Sequence, residues 1–338
     1  MKILKTYKSE DDKYIAYGTN SPLLREIRKN YDLDEVVLGP DYNESEYAEL
    51  IRQYDVLLTM WRSPHVPNEL TKNPGKLKLV CNITGTVRGW IDEDIALCPD
   101  ITLTNWGDAP AYGVAEGALA LLLSIMKDIP LSIEHAQNNG MAAHPDRKPT
   151  SLYKLPVGIY GMGAIARKFV DMLRPFMPEL YAFDPYVNEM PEGVTKVKTL
   201  EELFTVSRAV VIHAGLSPET KGSVTKELLA LLPDGAIIVN TARGAIIDTE
   251  ALIAELETGR LRAGLDVLSP NDWPDENAPI RQMKNVIMTG HFIANPIWGV
   301  NPEKLDFTAL NCLENLKLFS EGKPLKFVMD PERYRRSS

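Results

Sequence analysis

The sequence predicts an α/β protein with two domains, each built on a doubly wound parallel sheet. Short runs rich in Val, Ile, Leu and Thr alternate with helical patterns, which is typical of parallel sheets covered on both faces. The chain has 338 residues, enough for about two domains. Its 44% hydrophobic content is that of a globular protein and argues against intrinsic disorder.

The N-terminal part predicts the first sheet. Its strand-like runs cover residues 2–7, 35–38, 55–60, 77–81 and 101–104, with helical patterns at 22–30 and 44–53. Residues 112–127 are apolar on almost every side, which indicates a long buried helix. The polar stretch 137–150, with Pro145 and Pro149, predicts a surface loop.

A second alternating series follows the loop. Six strands are predicted at residues 156–160, 180–183, 209–213, 236–240, 263–267 and 286–288. Helices fit at 164–177, 200–206, 226–232 and 249–257, which is the pattern of a doubly wound dinucleotide fold. A last helix at 303–321, ended by Gly322 and Pro324, is too short for a domain and is expected to fold back onto the first one.

Charge and cysteine content exclude several function classes. The net charge is −9, from 37 basic and 46 acidic residues, which argues against nucleic acid as the main partner. The three Cys are widely spaced, so a disulfide framework or zinc site is not expected. The N-terminus lacks an apolar signal core, and the longest apolar stretch is too short to span a bilayer. We therefore expect a cytoplasmic protein without metal or membrane partner.

A glycine-rich turn connects the first strand of the second series to its helix. The motif GMGAIA fits GxGxxG/A, with Gly161 for the tight turn, Gly163 for close approach to a pyrophosphate, and Ala166 for helix packing. The helix start at Ala164 and Ile165 offers free N–H groups to phosphates. Asp184 ends the next strand, where a carboxylate binds a ribose 2′-OH, so NAD is expected over NADP.

Three further polar residues follow predicted strands of the second series. Arg243 lies in NTARG, Asp266 in GLDV and His291 in TGHF. Open α/β sheets bind ligands at the carboxyl ends of their strands, so these side chains are candidates for one site.

The motifs together resemble the D-isomer-specific 2-hydroxyacid dehydrogenase family, phosphoglycerate dehydrogenases included. The similar segments are VGIYGMGAIA, HAGLSPETKG, DGAIIVNTARGAIID, GLDVLSP and NVIMTGHFIA, with WRSPHV and LKLVCNITGTVRGWID in the first domain. The resemblance implies a Rossmann-type NAD domain at residues 108–301, inserted into a discontinuous flavodoxin-like substrate domain at 1–107 and 302–338. It also implies a cleft that closes over a small anionic 2-oxo or 2-hydroxy acid, and a homodimer.

The same resemblance assigns roles to individual residues. Arg243 would bind the 2-oxo-carboxylate and polarise its carbonyl, and His291 would exchange a proton with the carbonyl oxygen during hydride transfer. Asp266 would accept a hydrogen bond from the nicotinamide carboxamide. The remaining assignments are substrate binding by Arg62, Gly85, Thr86 and Val87, and cofactor binding by His213, Ala214 and Thr241.

The chain departs from the family where a Glu usually pairs with the catalytic His. An ungapped comparison puts Asn271 in that column, and Asp272 is the rival one residue later. We take Asn271 to face His291. An amide does not favour the imidazolium, so reduction would then fade at lower pH than in relatives with Glu. Arg88 in the substrate loop is expected to be solvated, with a charge near the cleft as the alternative.

Two other functions remain open on sequence grounds. The amide at Asn271 resembles the Gln of formate dehydrogenases in the same family. The missing Glu also fits NAD(H)-sensing corepressors of the same fold, although Arg243 and His291 argue for an enzyme. The identity of the acid and the physiological direction are not encoded in these motifs.

Overall fold

A computed structural model describes residues 1–85, 87–138, 149–293 and 304–336 of the chain. It divides into a terminal unit, Met1–Pro110 with Pro296–Ser338, and a central unit, Ala111–Asn295. The sequence placed the first boundary at 107/108, close to this division. The second, at 301/302, falls outside the described residues.

Strands and helices alternate along both units. In chain order the strands are β1 Lys2–Tyr7, β2 Asp32–Val37, β3 Val56–Thr59, β4 Leu79–Asn82, β5 Thr102–Thr104, β6 Pro156–Tyr160, β7 Glu179–Phe183, β8 Val194–Lys196, β9 Ala209–Ile212, β10 Ile237–Asn240, β11 Arg262–Leu265 and β12 Val286–Met288. The helices are α1 Pro22–Asn30, α2 Glu44–Ile51, α3 Glu93–Leu97, α4 Ala111–Met126, α5 Ile129–Gln137, α6 Ala164–Leu173, α7 Leu200–Val206, α8 Lys226–Leu231, α9 Thr249–Glu257, α10 Phe307–Ser320 and α11 Pro331–Arg336.

Each unit contains one parallel sheet, which confirms the predicted fold class. The terminal sheet has the order β2-β1-β3-β4-β5, the flavodoxin-like arrangement. The central sheet has seven strands in the order β12-β11-β10-β9-β6-β7-β8. Every pairing between these strands is parallel. Their carboxyl ends therefore lie together at one edge of each sheet.

Local chemistry explains where these elements begin. Strands β3, β4, β9 and β10 are buried along their whole length, as expected for apolar runs in a parallel sheet. Several helices start directly after a side chain that accepts a first-turn N–H. These caps are Ser21, Asn43, Thr199, Thr225, Asp248 and Asp306.

The short elements β8, α3, α5 and α11 are absent from the sequence-based assignment, because they are too short or too polar for a clear period. Part of the predicted 137–150 loop, residues 139–148, lies outside the described chain, as does the predicted start of the last helix. None of the helices in the described ranges is long and apolar enough to cross a membrane. The three Cys are free thiols in the core.

Lys5 is a fully buried charge at the centre of the terminal sheet. Its Nζ has no hydrogen-bond partner in the described chain and lies 5.1 Å from the centre of the Tyr7 ring. Burial lowers the pKa of Lys5 to about 8, because the ammonium group loses its hydration. In an unfolded chain a lysine has a pKa of about 10.4.

This burial predicts a pH-dependent effect on stability. Between about pH 8 and 10.4 the unfolded chain holds a proton that the folded chain has released, so Lys5 becomes less destabilising as pH rises. The stability gain of Lys5→Met over wild type should be largest below pH 8. This gain should shrink by about 3 kcal/mol between about pH 8 and 10.4, as measured by urea unfolding. The matched control is Lys8→Met, at an exposed position, for which no such trend is expected. A difference in unfolding free energy between Lys5→Met and wild type that stays constant with pH would contradict the prediction.

Candidate functional site

The glycine-rich turn after β6 adopts the conformation that the motif predicts. Gly161 has φ +89°, and a Cβ there would lie 2.6 Å from the backbone N of Ala214. Only glycine therefore fits between β6 and the chain that leaves β9. Gly163 precedes α6, whose first N–H groups, at Ala164 and Ile165, have no carbonyl within the helix to bind.

Asp184 follows β7 beside this turn. One carboxylate oxygen accepts the N–H of Met162 at 2.7 Å, and the other accepts the N–H of Tyr186 at 2.8 Å. The carboxylate thereby fixes the glycine turn and places its negative charge at the carboxyl edge of the sheet. This position is compatible with recognition of a ribose hydroxyl.

Two polar atoms at this edge are buried without a protein partner in the described chain. They are Nε2 of His213, after β9, and Oγ1 of Thr241, after β10. Burial lowers the pKa of His213 to about 3, so the ring is neutral. Unsatisfied buried polar atoms are uncommon, and a bound group with hydrogen-bonding atoms would satisfy them. The residues present thus fit a nicotinamide dinucleotide.

Asp266 follows β11 and is almost fully buried. Its Oδ1 accepts the hydroxyl of Thr289 at 2.6 Å and the N–H of Ile293 at 3.1 Å. Its Oδ2 has no partner in the described chain and is free to accept a hydrogen bond, as the expected carboxamide contact requires. The N–H of His291 donates to the Asp266 carbonyl at 2.5 Å, which ties the chain after β12 to the end of β11.

Arg243 is held by the turn that follows β10. The Asn240 side chain bridges this turn, because its Oδ1 accepts the N–H of Ala242 and its Nδ2 donates to the Arg243 carbonyl, both at 3.0 Å. A Cβ on Gly244 would lie 2.2 Å from the carbonyl carbon of Leu268, so glycine lets the turn approach the loop after β11. Burial lowers the pKa of Arg243, and the Asp272 carboxylate opposes this shift. A guanidinium remains charged at neutral pH in either case.

The residue that faces His291 is Asp272, which corrects the expectation for Asn271. Asp272 Oδ2 lies 2.8 Å from His291 Nδ1, and Asp272 Oδ1 accepts the N–H of Leu268 at 3.0 Å. Asn271 is exposed and has no hydrogen bond in the described chain. The loop after β11 is shifted by one residue relative to an ungapped comparison, because the contact with the Leu268 N–H turns Asp272 inward. A carboxylate in this place accepts a hydrogen bond from Nδ1 and orients the ring.

His291 has a backbone conformation that non-glycine residues rarely adopt, with φ +65°. Its side chain is 54% exposed, and Nε2 has no partner in the described residues. Strained backbone at a strand end commonly marks a functional position. Nδ1 of His291 is therefore bonded to the Asp272 carboxylate, while Nε2 is available for a ligand. This is the arrangement of an oriented acid–base group.

Arg62 belongs to the terminal unit and follows β3. It also has a left-handed backbone, with φ +64°, and its side chain is 72% exposed. Its Nη1 lies 3.9 Å from the Asp12 carboxylate, which is too long for a strong ion pair. The Arg62 guanidinium therefore lies near the carboxyl edge of the terminal sheet and can bind another anion there.

The expected substrate loop follows β4 in the same unit. The backbone N–H groups of Gly85 and Val87 have no acceptor among the described residues, and the Val87 side chain is buried in the core. Thr86 lies outside the described chain. Both residues are buried, and N–H groups without a protein acceptor can bind a carboxylate. Arg88 is exposed, as expected, and its guanidinium donates to the carbonyls of Tyr334 and Arg335.

Comparison with known proteins adds independent information. A family model described as "D-isomer specific 2-hydroxyacid dehydrogenase, NAD binding domain" matches residues 119–292. This range contains the glycine turn and every central-unit side chain described above.

Two curated relatives illustrate the similarity. An aromatic 2-oxoacid reductase of Clostridium sporogenes is 30% identical over 310 residues, covering 85% of this chain and 86% of the relative. A D-3-phosphoglycerate dehydrogenase of Methanocaldococcus jannaschii is 30% identical over 264 residues, covering 77% of this chain and 49% of the relative. The chain thus spans about half the length of the phosphoglycerate dehydrogenases that it matches.

A solved structure of the same family is similar to this chain over nearly its whole length. A D-isomer-specific 2-hydroxyacid dehydrogenase of Xanthobacter autotrophicus, crystallised with NADPH and MES, has a TM-score of 0.73 and 25% identity, with 98% of each chain covered. Fold and sequence similarity agree: the chain belongs to the D-isomer-specific 2-hydroxyacid dehydrogenase family.

Proposed function

We propose that this protein is an NAD-dependent D-2-hydroxyacid dehydrogenase, or 2-oxoacid reductase, acting on a small anionic acid. The observation that supports it most is the pair Asp272–His291 beside Arg243, at the sheet edge that carries the glycine turn. An oriented acid–base group next to a fixed cation suits reduction of a carbonyl flanked by a carboxylate.

The residues divide the chemistry between them. The N–H groups of Gly85 and Val87, together with Arg62, bind the substrate carboxylate, and Arg243 polarises the 2-oxo group. His291, held by Asp272, donates its proton to the carbonyl oxygen in reduction and takes it back in oxidation. Thr86 shares the carboxylate role by its place in the loop.

The cofactor is held by the central unit. The N–H groups of Ala164 and Ile165 bind the pyrophosphate, and Asp184 binds the ribose. His213, Ala214, Thr241 and Asp266 surround the nicotinamide end. A bound nicotinamide dinucleotide supplies the hydride that the reduction consumes.

The substrate class follows from the similar proteins. Their names include phosphoglycerate dehydrogenase and aromatic 2-oxoacid reductase, so phosphorylated and aromatic oxoacids are candidates beside the small oxoacids that the family resemblance implies. We test the proposal by following NADH absorbance with pyruvate, phenylpyruvate, glyoxylate and 3-phosphohydroxypyruvate. Turnover of at least one is expected. No turnover of any, despite measurable NADH binding, would favour a sensor.

The two alternative functions have lost their main support. The formate-dehydrogenase-like alternative depended on an amide beside His291, and the NAD(H)-sensing corepressor depended on the lack of a carboxylate there. Asp272 supplies a carboxylate there instead. We also propose a cytoplasmic homodimer joined through the central units; sedimentation as a single chain would contradict the dimer.

Asp184→Ala should reduce the preference for NADH over NADPH. Loss of a hydrogen bond to a charged group costs about 1.5–3 kcal/mol, so NADH affinity should fall roughly ten- to hundredfold. NADPH affinity should fall less, because the carboxylate no longer repels a 2′-phosphate. The readout is the ratio of kcat/KM for the two cofactors, with the exposed Asp171→Ala on α6 as the control. An unchanged ratio means that Asp184 does not face the ribose.

A further inference from the structure

The C-terminal helix α11 is connected to both ends of the loop that follows β4, through Asn105 at its beginning and directly at its end. We propose that α11 holds Gly85 and residues 87–91 in their substrate-binding conformation, which makes Arg88, Arg333 and Tyr334 positioning residues. The inference rests on the proposed function for its kinetic part, since this loop is the proposed carboxylate site. Its structural part stands on contacts within the terminal unit alone.

The beginning of the loop is connected to α11 through a buried amide. Arg333 Nη2 donates to Asn105 Oδ1 at 3.1 Å, and Asn105 Nδ2 donates to the Gly85 carbonyl at 2.8 Å. Asn105 is 8% exposed, and its Oδ1 also accepts the N–H of Gly107 at 3.1 Å. With its amide bonded on both sides, Asn105 has a defined orientation and fixes the direction of the Gly85 peptide.

The end of the loop is bound directly. The Tyr334 hydroxyl donates to the Ile91 carbonyl at 2.8 Å, and the Tyr334 ring packs into the core. The Arg88 guanidinium donates to the Tyr334 carbonyl at 3.1 Å and to the Arg335 carbonyl, and lies over the Tyr334 ring. Arg335 also forms an ion pair with Glu93, with 2.6 Å between Arg335 Nε and Glu93 Oε1.

The helix and the loop depend on each other. A helix of six residues is unstable alone, and its last carbonyls need donors. Arg88 supplies those donors and places a cation at the negative end of the helix. In return the loop gains fixed contacts. Among its described residues, its own backbone supplies only the hydrogen bonds from Trp90 and Ile91 to the Val87 carbonyl.

The loop must keep the Gly85 and Val87 N–H groups directed at one anion. A loosened loop would present them in that geometry for a smaller fraction of time, which weakens oxoacid binding by that fraction. NADH binding depends on residues of the central unit and should not change. The expected signature is a higher KM for the oxoacid without a change in NADH affinity.

The test uses Tyr334→Phe and Arg88→Gln in the full chain, with Lys326→Ala as the matched control. Lys326 forms an exposed ion pair with Glu314, 2.6 Å long, on the same C-terminal segment. Loss of one hydrogen bond predicts a roughly two- to tenfold rise in KM for the oxoacid. Hydrogen exchange in the peptide spanning residues 83–93 should accelerate in both variants, and not in the control.

The two readouts separate the possible failures. Exchange that matches the control in both variants would overturn the contact between α11 and the loop, whatever the activity. Faster exchange with an unchanged KM would overturn the positioning role. Should the wild type reduce none of the four oxoacids, the proposed function fails, while the exchange measurement still decides the structural part. Arg88→Lys should restore exchange only in part, because an ammonium lacks the planar fork that reaches two carbonyls.

Discussion

Replacing His291 with alanine is expected to lower kcat for oxoacid reduction by about 10²–10⁴ and to leave NADH affinity unchanged. The expectation follows from the position of the ring. Nδ1 is held by Asp272 at 2.8 Å and Nε2 has no partner in the described chain, so the side chain is oriented for proton transfer to a ligand. Steady-state kinetics and NADH fluorescence titration provide the two measurements.

A second variant guards against a purely structural effect. His291 has φ +65°, a conformation that Asn tolerates better than most residues, so His291→Asn keeps the backbone while removing the titrating ring. It should be as inactive as the alanine variant. His135→Ala, on the surface helix α5, should behave like wild type. Equal losses of kcat and NADH affinity in both His291 variants would count against proton transfer.

Asp272→Asn is expected to produce a loss of similar size, up to about 10²–10⁴ in kcat. A carboxylate only accepts, so it fixes the proton on His291 Nδ1. An amide can also donate and therefore allows the wrong tautomer. The readout is kcat for oxoacid reduction, measured by steady-state kinetics.

Asn271→Ala is the matched control, one residue away on the same loop. Asn271 is exposed and has no hydrogen bond in the described residues, so activity should stay close to wild type. The opposite outcome, a damaged Asn271→Ala and a normal Asp272→Asn, would restore the pairing that the ungapped comparison implied. The Leu268 N–H contact makes Asp272→Ser a useful addition, because Ser can accept that bond without supplying charge.

Much of the fold follows from local patterns in the sequence. The strands of both sheets are short apolar runs, buried along much of their length, and capping residues such as Ser21 and Thr225 mark where helices begin. The glycine turn and the polar residues at strand ends follow from the same reasoning, since parallel strands deliver their carboxyl ends to one edge.

The contacts that decide the chemistry have no such local signal. Whether Asn271 or Asp272 turns inward depends on the path of a loop, here fixed by a backbone N–H four residues earlier. The direction of Arg88 depends on Tyr334 and Arg335, which come from the far end of the chain. The burial of the Lys5 amine could not be predicted from the sequence either, because a lysine inside an apolar strand usually indicates an exposed face.

Transfer of deuterium from NADH labelled at the nicotinamide C4 position tests hydride transfer and its stereochemistry together. With wild-type protein and the oxoacid that gives turnover, the label should appear at C2 of the product, and chiral chromatography should identify that product as the D-2-hydroxy acid. His291→Ala should form it at about 10²–10⁴ times lower rate. Absence of labelled product from the wild type with NADH bound, or formation of the L isomer, would contradict a D-2-hydroxyacid dehydrogenase.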